Sequence, residues 1–198
     1  MESLARLSSQ EIDTIKANKS ILLEAEQLVK VPWQMLAAVW FREHGLTMGN
    51  NPFQFDPPPT HAVILGLLQS YTDYKPIRYS IDDFSFAAIL AACWLRHECR
   101  YPLVMVQSYQ LDVEKDVHES TQVISVDTSD KTIADAFYGY NGRAYGSNPF
   151  NSPYVANELD ELHHNMRFRG EDNGKWIDII DTRPGAFVVY KQLLQEAV

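Results

Sequence analysis

Apolar residues in the first two thirds of the chain recur mostly at helical spacing. The last third is broken by turn residues: six of the nine glycines (139, 142, 146, 170, 174 and 185) fall after position 138. Ser8 with Glu11 three residues on is a capping-box pattern and predicts a helix from about Ser9 to Lys30. Pro32 suits the first turn of a second helix, from Trp33 to about His44. Four prolines between Asn50 and Thr60 impose irregular backbone. His61 to Ser70 reads as a short apolar helix, and Ser80 with Asp83 repeats the capping-box pattern before an alanine-rich helix reaching about Cys99. Residues 102–128 fit no single period and stay unassigned. Asp130 opens a helix through Tyr140 that Gly142 ends, and Pro153 opens another near Asn157. Met166 to Ile180 alternates around Glu171-Asp172-Asn173-Gly174, which predicts a hairpin. Pro184 opens a last helix with Phe187, Tyr190, Leu193 and Leu194 on one face. The expected fold is mainly α (α+β): a single helical domain with its core at about 9–160, followed by a small C-terminal β-hairpin and helix over 166–197.

Composition narrows the function more than the fold. The 198 residues are 45% hydrophobic and 12% aromatic, which excludes global disorder. The formal net charge is −9, which argues against nucleic acid, because phosphate neutralisation needs a basic stripe. Neutral sugars and peptides remain open as ligands. The longest apolar run, Phe86 to Leu95, is half of the roughly 20 residues that span a bilayer, so it predicts a buried helix and no membrane insertion. The N-terminal residues lack the basic and apolar blocks of a signal peptide, so synthesis for the cytoplasm is expected. Cys93 and Cys99 would lie about 9 Å apart along one helix, too far to bridge, and read as reduced core thiols.

One charge breaks the helical pattern. On the second helix Trp33, Leu36, Ala37 and Trp40 form one face, and Glu43 falls beside Leu36 and Trp40, while Arg42 points the opposite way, outward. A carboxyl pressed against apolar neighbours is desolvated, its pKa rises, and it can serve as a general acid. The plainer alternative is a helix-end carboxylate facing solvent or pairing with an arginine. No other motif competes. Asp112, Glu114, Asp116 and His118 alternate like the opening of a calcium loop, but Val117 and Val123 stand where such a loop needs glycine and glutamate. His163-His164 and His97-Glu98 lack zinc-protease spacing, and neither G-x-S-x-G nor a P-loop occurs. No metal and no cofactor are expected.

After Glu43-His44-Gly45 come Asn51-Pro52-Phe53-Gln54-Phe55-Asp56-Pro57 and, much later, Gly139-Tyr140-Asn141-Gly142. In order and rough spacing these segments resemble the lysozyme-like superfamily, within it the lytic transglycosylases and goose-type lysozymes. Those carry a catalytic Glu in E-S-G, a G-L-M-Q-I-x-P turn and an A-Y-N-x-G segment. The resemblance covers about residues 30–160. This chain departs from it at His44, at Asn51-Pro52 and at Gly139, and the wording of Asn141 to Gly146 is more similar to phage-type members.

The resemblance implies cleavage of a β-1,4 glycosidic bond in a peptidoglycan glycan strand, with Glu43 as acid and then base. Phe53, Gln54, Tyr140, Asn141, Tyr145 and Tyr154 are its candidate substrate contacts. Gln54 would bond an N-acetyl group or hold the cleft wall, and Tyr140 would donate its hydroxyl to Glu43. Asn141 would bind sugar or cap its helix. Flat tyrosine faces suit sugar rings. Asp56 is the candidate second acid of a hydrolase, or else orders the proline-rich turn. The same fold could serve chitin or chitosan, or be kept by a non-catalytic interaction protein. Action at the bacterial wall after release, or within a phage particle, is implied. An acidic chain facing an anionic wall points to a protein partner or larger assembly for delivery.

Overall fold

Local capping sets most helix boundaries. The computed structural model describes residues 5–76, 78–101, 103–112, 117–126, 129–141, 147–172 and 175–196. Helix α1 spans Ser9–Val29, and both bonds of its capping box form: the Ser8 side chain accepts from the Glu11 amide, and Glu11 accepts from the Ser8 amide. Helix α2, Trp33–His44, ends at Gly45, whose φ of 56° is the left-handed geometry glycine adopts without cost. Helix α3 is His61–Tyr71, capped by Thr60, and α4 is Phe84–His97. The N-cap of α4 is Asp83, which accepts from the Phe86 amide; Ser80 accepts from the Asp82 amide instead, so the expected Ser80–Asp83 box does not form. Helix α4 is buried on nearly every face and packs against α1, α2, α3 and α5 (Asp130–Asn141), as an apolar helix without a polar stripe must.

Residues 102–128, which the sequence left unassigned, hold strands β1 (Leu103–Asp112) and β2 (Val117–Val126), paired antiparallel from Leu103↔Val126 to Asp112↔Val117. The short helix α6, Pro153–Ala156, follows α5. The C-terminal hairpin stands where the alternation placed it: β3 (Arg167–Asp172) pairs antiparallel with β4 (Lys175–Ile180). The last helix, α7, is Ala186–Gln195. Phe187, Tyr190 and Leu193 are buried as expected, while Leu194 is half exposed. The described residues are therefore mainly helical, with each hairpin forming a separate two-stranded sheet. None of their helices is long and apolar enough to cross a membrane. Neither Cys93 nor Cys99 is in a disulfide, both are buried, and burial pushes the Cys93 thiol up to about 12.

One fold feature corrects the sequence reading and shapes the site. Arg42 does not point into solvent but is only 5% exposed. Helix α7 and the turn before it fold back over the face of α2 that the helical projection left open. A pattern read from one helix cannot show a cover contributed about 140 residues later.

Candidate functional site

Glu43 sits in the last turn of α2, half-buried, with Gly45 ending the helix two residues on. Burial raises its pKa, and four neighbours restrain that rise: Tyr154, Asn141, Arg42 and Arg183. Asn141, exposed at the end of α5, donates its Nδ2 to Glu43 Oε1 at 3.3 Å. Tyr154, on α6, is buried, and its hydroxyl faces the carboxyl without forming a full hydrogen bond among the described residues. Burial and the Glu43 charge hold both the Tyr154 and Tyr140 hydroxyls well above the ordinary phenol range, so both stay donors. A carboxyl raised by desolvation, with an amide and a phenol beside it, can release a proton and take one back.

The proline-rich segment forms a wall beside this cluster. Asn51 staples it: its side chain accepts from the Phe55 amide at 3.0 Å and donates to the Phe55 carbonyl at 3.1 Å. Between these bonds Phe53 and Phe55 turn inward and Gln54 turns out, at φ 51°. Phe53 is therefore not available to a substrate: it is 0% exposed and stacks on Phe84 with ring centroids 5.7 Å apart. The large apolar area of its ring favours this burial. Gln54 and Asp56, both exposed, line a groove of about 330 Å³ with Pro57, Trp94 and Tyr140.

Tyr140 takes a role different from the expected one. Its hydroxyl donates to the Phe53 carbonyl at 2.8 Å, tying α5 to the stapled loop, and not to Glu43. The phenol facing Glu43 belongs to Tyr154, which the sequence offered only as a flat face for sugar. The carbonyl of a tight turn is the nearer acceptor for Tyr140, and α6 brings the other tyrosine over the end of α2. Gln54 and Tyr140 share one groove, and Glu43 is not among the residues lining it. Tyr140 links the two: its ring lines the groove, and its hydroxyl is within electrostatic reach of the Glu43 carboxylate. Asn141 does meet Glu43. Tyr145 and Gly142, like Glu114 and Asp116, lie outside the described residues. Among the described residues no group of three or more His, Cys, Asp or Glu is placed to hold a metal ion.

The sequence reading missed the third side of the site. Arg42 Nη2 meets Asp181 Oδ2 at 2.5 Å, and Arg42 Nη1 donates to the carbonyls of Arg183 and Pro184 at 3.2 Å each. The Arg42 guanidinium also lies 5.3 Å from the centre of the Tyr154 ring. Arg183 returns the contact, donating Nη1 to the Arg42 carbonyl at 3.0 Å. The buried amide of Asn157 holds this turn: Nδ2 donates to the Asp181 and Arg183 carbonyls, and Oδ1 accepts from the Met166 amide. Gly185 is required here, because a Cβ would stand 2.3 Å from the Val155 carbonyl oxygen. Asp181, Arg183, Pro184 and Gly185 follow one another closely just past a predicted hairpin, the signal that marked the turn without naming its partner. Neither the family models, nor the curated proteins, nor the solved structures include a match to this chain.

Proposed function

We propose that the protein cleaves peptidoglycan glycan strands, as lytic transglycosylases or lysozyme-like muramidases do, with Glu43 as the one general acid and base. The observation that carries this reading is the state of Glu43: a desolvated carboxyl at a helix end, its pKa raised, with, among the described residues, one amide donor bonded to it and one unspent phenol beside it. The groove lined by Gln54, Trp94 and Tyr140 adds flat faces and an amide suited to an N-acetylated sugar.

In this mechanism protonated Glu43 gives its proton to the glycosidic oxygen as the bond to the anomeric carbon breaks. The substrate's 2-acetamido oxygen supports the positive charge at that carbon, so no second carboxylate is required. The Glu43 carboxylate then removes a proton, either from the sugar's own 6-hydroxyl, closing a 1,6-anhydro ring, or from water, leaving a reducing end. Asp56, exposed on the groove wall, is the residue that would serve a water-activating variant of the scheme. The charge of −9 supports delivery to an anionic wall by a partner or a larger assembly, such as a phage particle.

Turbidity loss of purified walls with mass spectrometry of the products tests the proposal. Anhydro ends identify a transglycosylase and reducing ends a hydrolase. Release from chitin or chitosan but not from walls moves the substrate within the same chemistry. No release from any of these glycans, where a known muramidase works, overturns the enzymatic reading and leaves a non-catalytic protein.

A further inference from the structure

The C-terminal hairpin and the turn after it have no part in the reading above, although they close on the helix that carries Glu43. Arg42 is buried, and a buried guanidinium needs compensation. It finds Asp181 and two carbonyls of the same turn. The bonds made by this turn are more than a cover for Arg42. Arg183, with its side chain 47% exposed, spends one nitrogen on the Arg42 carbonyl, the peptide that joins Arg42 to Glu43. Its Nε lies 3.6 Å from Asp181 Oδ1, so the same carboxylate that fixes Arg42 also steadies Arg183. Arg42 in turn lies against the ring whose hydroxyl faces Glu43.

We propose that Arg183 is a positioning residue of the Glu43 site, and that the Asp181–Arg183 turn is the arm through which the C-terminal hairpin holds Glu43 and Tyr154 in register. The inference rests on Glu43 being the acid. The turn is anchored well enough for this: Asn157 bonds both ends of it, and the Asp181 amide donates to Met166 at the base of the hairpin at 2.8 Å. The arm fixes the backbone of Glu43 from one side through Arg183 and its phenol from the other through Arg42. The groups acting on Glu43 come from four places: Arg42 on its own helix, Asn141 and Tyr140 on α5, Tyr154 on α6, and Arg183 on the arm. The arm thus brings one of the two cations and fixes the other.

The test is Arg183→Gln beside Arg183→Lys in the full chain. Kinetics on soluble glycan fragments are read together with the pH titration of the Glu43 carboxyl by carbon NMR, its signal assigned by its loss in Glu43→Gln. Arg183→Gln is expected to lower kcat about tenfold, short of the roughly 10²-fold that a full 1 Å misplacement can cost, with KM within twofold. It should also move the Glu43 titration to higher pH, because a nearby cation is gone. Arg183→Lys is expected to restore most of both, since it keeps the charge and a donor. Because Arg183 is half exposed, both variants keep the fold. The double variant Arg42→Met with Asp181→Leu, which removes the buried pair without leaving one charge behind, should move the titration the same way. An unmoved Glu43 titration in Arg183→Gln, or a kcat within twofold of wild type, overturns the inference. Full activity in Glu43→Gln overturns the assignment of the acid instead, and the titration still reports on the arm.

Discussion

Two carboxyls shielded from solvent, the half-buried Glu43 and the buried Glu158, have proton affinities that move in opposite directions. Glu43, at the end of α2, is raised; Glu158, just after α6 and 1% exposed, is lowered. Burial pushes both upward, so burial alone does not decide the sign. The donors do. Glu158 accepts from the Asn165 amide at 2.8 Å, from His164 Nδ1 at 2.7 Å and from the Ala5 amide at 3.1 Å, three bonds that need its negative charge. Among the described residues Glu43 accepts one bond of 3.3 Å, from an exposed amide, and faces a phenol that forms no full bond. A carboxylate saturated by donors pins chain segments together, as Glu158 pins the N-terminal residues to the turn before β3. A carboxyl with fewer donors holds its proton to higher pH and can give it away. The contrast distinguishes a carboxylate committed to structure from one whose proton is available, the property that the proposed role of Glu43 requires.

The largest effect expected from this contrast is on activity. Glu43→Gln should lower wall-lytic turnover by about 10²–10⁴-fold, the usual contribution of a positioned general acid, while circular dichroism stays unchanged. Glu158→Gln should leave kcat within twofold. Equal losses in both variants would mean that Glu43 is no more chemical than Glu158.

Stability should divide the other way. Glu158→Gln removes the charge that three donors serve and should cost about 1–3 kcal/mol, read as a Tm lower by roughly 2–4 °C for each kcal/mol in a chain of this size. Glu43→Gln should be neutral or slightly stabilising at neutral pH, because the folded state pays to keep that carboxyl charged. The pH dependence follows from the two directions. The pKa of Glu158 is lowered in the fold, so its stabilising contribution is present above the unfolded carboxyl pKa and fades as pH falls through the folded value. The pKa of Glu43 is raised, so its cost appears as pH rises through that range and is absent at lower pH. Thermal melts from pH 7 downward should show both variants converging on wild type, Glu158→Gln from below and Glu43→Gln from above. A gap for Glu158→Gln that is independent of pH would show that its bonds do not depend on its charge.

Of this contrast the sequence shows one half. Glu43 was legible because it breaks an apolar face at helical spacing, a purely local signal. The Ser8–Glu11 box was legible for the same reason, since capping is decided within four residues. Glu158 has no such signal: its partners, Ala5, His164 and Asn165, are assembled by a turn and by the far end of the chain. Arg42 was misread because its cover arrives with Asp181 and Arg183, and Phe53 because the Asn51 staple, not a period, decides which side chains of the loop turn inward. The exchange of Tyr140 for Tyr154 has the same origin. Both tyrosines sit in or after the third motif, and only the placement of α6, packed on α5 and α7, selects the one that meets the carboxyl.

The smallest effect belongs to Tyr154, and it is the finest test of the contrast. Its hydroxyl is buried beside Glu43 without a full partner, and an unsatisfied buried hydroxyl costs free energy. If the group is only packing, Tyr154→Phe should raise stability slightly and change nothing else. If it is the reserve donor of the site, it steadies the Glu43 carboxylate after the proton has left, and its loss should show in catalysis. The expected result is a Tm equal to or slightly above wild type, a kcat lower by about three- to tenfold, and a descending limb of the pH–rate profile displaced to higher pH. The sign of that displacement is fixed: Tyr154 lowers the pKa of Glu43, so removing it lets burial raise the pKa further, and the acid form persists to higher pH. A limb that stays in place would leave Asn141 as the donor that matters, and would make the Glu43 cluster poorer in donors, and further from Glu158, than the geometry indicates.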